Sequence, residues 1–437
     1  MRDYLSDDDL GISVSFNVEQ KQFEGLEVAA SLDRVVGSRQ DTTWTIREGG
    51  SVFAAPLVRD GMVYFGACDS NFYALDAETG RELWRFHTDG VVLSSAAMDG
   101  NMVYFGSFDG NFYAVSTSGK FVWKFNAEDM VYSDPCIWGN NVYFGSHNGN
   151  IYAVDKESGR LAWKFGTHGP VASSAIVHNG TVYIGSSDRN LYALDAETGR
   201  LKWKYPTNGM VRYRPAIFGG NIVFGSMDGR VRAVNESGRL QWDFLTSEGI
   251  GTYMIVFDDV LYFGSRNRNW YAVDSRGRLL WKYYSKGFPN SVAVIGDVVY
   301  AGFCENLVAA IDKRTGRELW ILPTNGWVIQ MTASGGRVYF GSWDCNLYCM
   351  APDGKIVWKF HTSLSYQSPL EPEEEPGQKS FEVVWRFDRE EKKKAEKEKM
   401  GDYNAEFKSD YTASIGMDYM GFDREERQAG KKRHHYG

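Results

Sequence analysis

Residues 62–86 read MVYFGACDSNFYALDAETGRELWRF. The stretch holds three short runs rich in Val, Tyr, Phe and Leu that alternate apolar and polar, each closed by turn-forming residues, which is the pattern of half-buried β-strands. Met62 to Ala67 reads as the second strand of a unit whose first runs from Val52 to Val58; Asn71 to Asp76 is the third and Glu82 to Phe86 the fourth. Between the third and fourth lies D-x-x-T/S-G, as Asp76 to Gly80, Asp155 to Gly159, Asp195 to Gly199 and Asp312 to Gly316. The aspartate can accept backbone amides ahead of it while the glycine takes the left-handed position. Between the second and third lie Asp109-Gly110, Asn148-Gly149 and Asp228-Gly229 in other copies, pairs that tolerate positive φ in tight hairpins.

The tryptophan that ends this stretch recurs at positions 44, 84, 123, 163, 203, 242, 281, 320 and 358, at spacings of 38 to 40 residues. A fixed period near 40 marks a repeat architecture in which each unit buries its apolar face against its neighbours. The pattern returns at 92–125, 131–165, 171–205, 211–244, 250–283, 290–321 and 328–360, so the expected fold is all-β, an eight-bladed β-propeller of four-stranded antiparallel blades. Thr42 to Ile46 and Phe381 to Phe387 look like further outer strands, and at least one terminal strand is expected to pair at the ring seam, because open edges invite association.

The signature A-x-D-x-x-T-G-x-x-x-W at Ala74 to Trp84 and Ala193 to Trp203 resembles the tryptophan-docking motif of the pyrroloquinoline quinone (PQQ) type propeller repeats, over about residues 44–360. The resemblance implies that Trp84, Trp123, Trp163, Trp203, Trp242, Trp281, Trp320 and Trp358 each wedge between their own blade and the adjacent one. Quinoprotein dehydrogenases share the ring and add long insertions, an adjacent cysteine pair against the quinone, a Glu and Asn holding calcium, and a catalytic Asp. This chain has no Cys-Cys dipeptide and evenly spaced blades. It is closer in character to non-enzymatic scaffold propellers such as the outer-membrane assembly lipoprotein, an analogy that stops at the fold. A PQQ-dependent enzyme is therefore the alternative, and no catalytic residue, cofactor or metal is assigned.

A formal charge of -8 disfavours nucleic acid as partner of the body, and the absence of a long apolar stretch disfavours membrane insertion. Met1 to Leu10 lack the basic start and apolar run of a secretory signal, and the five scattered cysteines read as reduced core thiols, so a cytoplasmic location is expected. Asp69, Asp109, Asp188, Asp228 and Asp344 recur at one repeat position, which argues for local turn bonding over a ring of metal ligands. The serine pairs Ser94-Ser95 and Ser173-Ser174 lack a matched His and Asp.

Function is then sought where copies disagree. The first strand of each blade is expected to line the central channel, and there Arg212-Tyr213-Arg214 of blade 5 replaces the small residues of Leu93-Ser94-Ser95 or Ala172-Ser173-Ser174. With Arg230 and Arg232 in GRVRAV and Arg266 and Arg268 in GSRNRNW, this makes six arginines in two adjacent blades, suited to an acidic peptide. Otherwise they are solvated or paired with Asp228, Glu236, Glu248 and Asp258. Blade 7 loses the Gly-Ser and turn glycine of the pattern, which reads as drift.

Residues 1–41 form an N-terminal extension, 42–366 the propeller with its seam strand, 367–380 a Pro- and Glu-rich linker, and 381–437 a strand followed by a charged, partly helical or disordered tail. Tyr403, Phe407, Tyr411, Tyr419 and Phe422 are spaced among charges, as in segments that order on a partner. Lys431 to His435 could touch phosphate, so a ribosome- or RNA-associated factor binding through the tail end is a further alternative. The expected function is a non-catalytic protein-interaction scaffold in a larger assembly, contacting protein partners through the propeller faces and the tail.

Overall fold

The computed structural model describes residues 50–285 and 287–362, together with the strand backbones of 12–13, 43–46, 381–384 and 386–387. It divides into two bodies, residues 1–47 with 375–437, and 48–374. In the first body Thr43–Ile46 pairs antiparallel with Phe381–Val384, and Ile12–Ser13 with Arg386–Phe387. Neither terminal strand belongs to a blade sheet, contrary to the seam strand expected from the sequence.

The second body is an eight-bladed propeller. Each blade is a four-stranded antiparallel sheet drawn from one contiguous stretch, and among the described residues every regular element is a strand. Blade 1 comprises Leu57–Arg59, Met62–Gly66, Asn71–Asp76 and Glu82–His87. The first strand is shorter than expected because its leading residues bond to other blades. Val52 donates its amide to Ser342 O at 3.1 Å and Ala55 to Ser95 Oγ at 2.9 Å, and Pro56 has no amide to give. Only in blades 7 and 8 does the first strand run seven residues, as Pro289–Ile295 and Val328–Ser334.

The second and third strands are buried on both faces, because neighbouring blades stack on them. Phe72 of blade 1 lies flat on Phe105 of blade 2 with ring centres 4.0 Å apart, and Phe112 repeats the contact with Phe144 of blade 3 at 4.1 Å. The fourth strand is bulged where its tryptophan sits. In blade 1 Ala74 faces Trp84 while Leu75 faces Glu82, so Leu83 is the extra residue. The Trp84 Nε1 then donates to Thr117 O of the next blade at 2.9 Å, over Gly119. Trp123, Trp163, Trp203, Trp242 and Trp281 repeat this bond to the following blade, and Trp320 lies over Gly354.

The ring closes by the same means. Trp358 donates to Ala77 O of blade 1 at 3.1 Å and lies over Gly80. Between successive blades Thr88, Thr167, Thr207 and Thr324 each donate Oγ1 to the carbonyl two residues on. Thr362 makes the equivalent bond to Gly50 O, and Gly50 returns its amide to Thr362 Oγ1 at 2.9 Å, joining the two ends of the propeller segment.

Two faces result. The first-to-second and third-to-fourth turns lie at one end of the blades. The second-to-third turns and the links between blades lie at the other, called here the mouth face.

Candidate functional site

The residues that precede or begin each first strand ring the channel. Each row begins with a residue packed on a glycine of the preceding blade; a Cβ on Gly66 would lie 2.3 Å from Val92 Cγ1. The third residue beyond this contact forms a hydrogen-bonded girdle in half the ring. The Ala55 amide donates to Ser95 Oγ at 2.9 Å, Ser95 to Asp134 Oδ1 at 2.8 Å, and Asp134 to Ser174 Oγ at 3.0 Å, linking blades 1 to 4. One residue earlier, Ser94 Oγ donates to Ser133 O and Ser173 Oγ to Tyr213 O, both at 3.1 Å. The serine pairs are thus blade-to-blade links, and the one carboxylate beside them accepts a backbone amide. Blade 5 ends the girdle: Arg214 holds the next place, and a guanidinium cannot accept an amide.

Beyond the break the lining becomes aromatic and cationic. Tyr213 and Tyr253 meet edge to face with ring centres 5.4 Å apart. Burial raises the Tyr213 hydroxyl pKa above its usual value, with Arg266 and Arg212 near enough to oppose it. Burial likewise holds Tyr132 well above normal, with Tyr213 and Asp134 adding to the rise and Arg212 opposing it. Both phenols therefore stay protonated donors at neutral pH. Arg212 also contacts Met210, its Nη2 lying 3.4 Å from the thioether sulfur.

A second row of equivalent places is the residue two beyond the glycine of each second strand. Arg266 supplies it in blade 6, Cys304 in blade 7, Trp343 in blade 8, Cys68 in blade 1 and Phe108 in blade 2. On the blade 8 side Trp343 stacks on Trp327 at 4.1 Å and meets Phe53 at 5.8 Å, and all three are buried. Phe108 meets Tyr132 at 6.2 Å, and both keep partial exposure. The mouth is thus filled by two indoles and a phenyl ring beside blade 8, while Phe108 and Tyr132 keep partial exposure beside blades 2 and 3.

The six arginines do not form one patch. Arg232, 7% exposed, grips Asp228 with two hydrogen bonds of 3.0 and 2.7 Å. Arg230 pairs with Asp243, and Arg268 lies 5.1 Å over the Phe288 ring. Of the acids read as local partners, Glu236 instead accepts from Asn179 and Asp258 from Lys313. Arg212 and Arg266 both act electrostatically on Tyr213, and exposed Arg214 stands two residues along from Arg212. The channel aromatics Tyr132 and Tyr253 are not among the sequence candidates; they hold the repeat places of Arg212 and Arg214, one and three residues beyond Val131 and Ile250, and that equivalence is the signal that finds them. Tyr403, Phe407, Tyr411, Tyr419 and Phe422 lie outside the described residues, as do Lys431 to His435.

The recurring aspartates bond within their own turns. Asp109 accepts the Asn111 amide at 2.8 Å and the Tyr113 hydroxyl at 2.6 Å, and Asp188 the Asn190 amide and Tyr192 hydroxyl at 3.1 and 2.5 Å. Asp69 does the same with Asn71 and Tyr73, but burial outweighs those bonds and pushes its carboxyl up to about 6. Among the described residues no three His, Cys, Asp or Glu side chains meet as metal ligands.

Among the described residues, left-handed residues other than glycine, asparagine and aspartate occur on this face alone, whereas the first-to-second turns of the other face use Asp60, Asn179, Asp258 and Asp259. The residue after each second-to-third turn acid or amide has positive φ, and only blades 2, 3 and 5 use glycine there. The others hold Ser70, Arg189, Arg268, Asn306 and Cys345 at φ between 58° and 71°. A left-handed conformation costs a side chain other than Asn or Asp roughly 1 kcal/mol.

These features define an eight-bladed β-propeller whose blades are joined by tryptophan-on-glycine contacts. The chain belongs to the PQQ-like propeller-repeat family, whose model, described as "Outer membrane protein assembly factor BamB", matches residues 36–153, 147–302, 271–375 and 304–394. No curated protein matches the sequence significantly. Similar solved structures include the computationally designed Ika8 protein, 18% identical with a TM-score of 0.63 over 69% of this chain and 96% of that one. BamB from Moraxella catarrhalis is 17% identical with a TM-score of 0.60, again over 69% and 96%. The quinohemoprotein alcohol dehydrogenase of Comamonas testosteroni is 17% identical with a TM-score of 0.57 over 68% and 71%. At these identities the likeness is one of fold.

Proposed function

We propose that the chain is a non-catalytic scaffold that holds protein partners in a larger assembly, with the mouth face as its principal contact surface. The observation that carries this reading is the retention of side chains at strained turns on that face. Glycine would relax Ser70, Arg189, Arg268 and Cys345, and strain kept in a stable ring is the mark of a working surface. The fold it shares with BamB supports the scaffold role in general. The residues present do not fit the quinone set: the cysteines come from blades 1, 3, 7 and 8 with none adjacent in sequence, and the mouth beside blade 8 is filled by Phe53, Trp327 and Trp343. All five cysteines are free thiols, which suits a reducing compartment such as the cytoplasm. No helix among the described residues is long and apolar enough to cross a membrane.

The test is cross-linking of tagged full chain at its native level, followed by mass spectrometry, beside dye-linked alcohol oxidation after loading with PQQ and Ca²⁺. The scaffold reading expects partner cross-links concentrated on the mouth face and no turnover. Alcohol oxidation, or a chain that emerges without cross-linked partners, would overturn it.

A further inference from the structure

The residue two places beyond the blade tryptophan is an aromatic ring in every blade but blade 7. The ring packs on the following blade near the outer end of the junction. Phe86 lies 5.7 Å from the Tyr113 ring and 6.4 Å from the Phe121 ring of blade 2. Phe125, Phe244 and Phe360 meet the equivalent tyrosines Tyr152, Tyr271 and Tyr73 at 5.3, 5.4 and 5.4 Å. In blade 7 the place falls in the fourth strand, Glu318–Pro323, and is held by Leu322. A groove of about 330 Å³ opens there, lined by Leu322 to Asn325 of blade 7 and by Tyr348, Ile356 and Lys359 of blade 8. Tyr348 and Ile356 are the repeat equivalents of Tyr113 and Phe121: Tyr348 pairs with Lys359 as Tyr113 does with Lys124, and Met350 with Ile356 as Val115 does with Phe121. Tyr348 also stacks on Phe340 at 5.0 Å, as Tyr113 does on Phe105 at 5.6 Å. The wall that receives a ring elsewhere is therefore intact, and the ring is missing.

Resting on the scaffold reading, we infer that the groove between blades 7 and 8 takes an aromatic side chain from a segment of a partner protein, with Lys359 meeting a carboxylate next to that ring. Tyr348 offers the incoming ring the edge-to-face contact that Phe86 makes with Tyr113, and Leu322 and Ile356 cover its sides. The volume stands at the lower end of the roughly 300–1,000 Å³ in which proteins hold small ligands, so it has room for a side chain and not for a folded element. Lys359 is exposed at the rim and makes no ion pair among the described residues, so a carboxylate beside the ring gains a partner without displacing one. The lining carries that one charge, which suits neither a polyanion nor a metal cation. The groove opens beside Thr324 and Asn325, in the link between the two blades, and so adjoins the mouth face.

The probe is a peptide with blocked ends, GSEFSG, titrated into the full chain by saturation-transfer NMR beside GSEASG and GSKFSG. The phenylalanine peptide should bind at least about tenfold more tightly than the alanine one. Leu322→Phe restores the ring of the other blades, so it should weaken binding by about tenfold or more while the melting temperature holds or rises, a combination that damage to the fold would not produce. Lys359→Glu should weaken GSEFSG by about threefold and turn the preference toward GSKFSG. Lys164→Glu makes the same change of charge at the equivalent place of blade 3, where Phe125 fills the junction, and should leave binding unchanged. Equal binding of the phenylalanine and alanine peptides, indifference to Leu322→Phe, or a lowered melting temperature in that variant would overturn the assignment. So would sedimentation in which the native chain is a dimer and Leu322→Phe a monomer, because the occupant would then be a second copy. If partner cross-links to the native chain persist unchanged in Leu322→Phe, this site falls and the scaffold stands; if the native chain takes no cross-linked partner, the scaffold falls and the site with it.

Discussion

The two ends of the blades obey different constraints although both are built from tight turns. On the third-to-fourth turns each glycine lies under the indole of the preceding blade, so the residue there is fixed by packing. On the second-to-third turns the equivalent glycine is less confined, with nearest Cβ contacts of 3.0 Å at Gly229, 3.3 Å at Gly149 and 3.5 Å at Gly110. A Cβ on Gly110 would find its nearest neighbour, the Asp129 amide nitrogen, at 3.5 Å, against 2.6 Å from Gly199 to Trp163 Cδ2. Packing thus fixes the third-to-fourth glycine and leaves the left-handed second-to-third position freer to vary, although the links of the mouth face are themselves tight: a Cβ on Gly90 would lie 2.4 Å from the Asp109 amide nitrogen.

The largest expected effect breaks the constrained face. Gly199→Ala adds a left-handed alanine, φ being 69°, and drives its Cβ into the indole, so unfolding in urea should show a loss on the order of 4 kcal/mol. Gly110→Ala, at φ 82° but without the clash, should lose only about 1 kcal/mol. Equal losses would show that the tryptophan contact does not set the difference between the faces.

The next effect separates copies of one mouth-face position. Asp228 and Asp69 are equivalent, yet their carboxyls shift in opposite directions. Burial alone would raise Asp228, but the Arg232 fork and the Asn208 amide outweigh it and hold the carboxyl below its usual range. Arg232→Ala should cost about 3 kcal/mol at neutral pH, because it strands a buried carboxylate. A lowered folded pKa gives stability that is present above the ordinary aspartate value and lost as pH falls through the folded one. The gap between native and variant should therefore narrow in melts below about pH 4. A gap independent of pH would remove the ion pair as its cause.

Asp69 has the reverse sign. Its folded carboxyl titrates at about 6, so between the ordinary aspartate value and that point the folded state binds the extra proton. Stability should decline as pH rises across this window and level off above it. Asp69→Asn, which keeps an oxygen for the Asn71 amide and is always neutral, should abolish the decline. Identical pH profiles of the two proteins would refute the raised carboxyl.

This comparison also shows what the sequence could disclose. Blade count, strand order and the tryptophan positions were legible because every copy repeats the same burial demand: the alternation in MVYFG and NFYALD encodes strands packed on both faces, and the D-x-x-T-G turn encodes the glycine under the indole. The arginine sector was legible only as a departure from that repeat. Spacing placed Arg212 and Arg232 in one neighbourhood, but not that Arg232 points back into its own turn to Asp228 while Arg212 lies near Tyr132. That distinction depends on ring geometry, which brings blades 3, 5 and 6 together across a channel.

The smallest effect sharpens the comparison from the free face. If Arg189 is held left-handed at φ 71° only by the surrounding turn, Arg189→Gly should gain about 1 kcal/mol in urea unfolding. Arg268→Gly relieves the same strain at φ 65° but removes a guanidinium from over the Phe288 ring, a contact of about 0.5–1 kcal/mol at an exposed site. Its net gain should be near zero, so the two variants differ by the cation–π contact alone. Were both to lose stability, the turns would be relaxed as they stand, and the argument from strain to a contact surface on this face would fail. Were both to gain while partner cross-links thinned at those turns, the side chains would be kept for binding at the expense of stability.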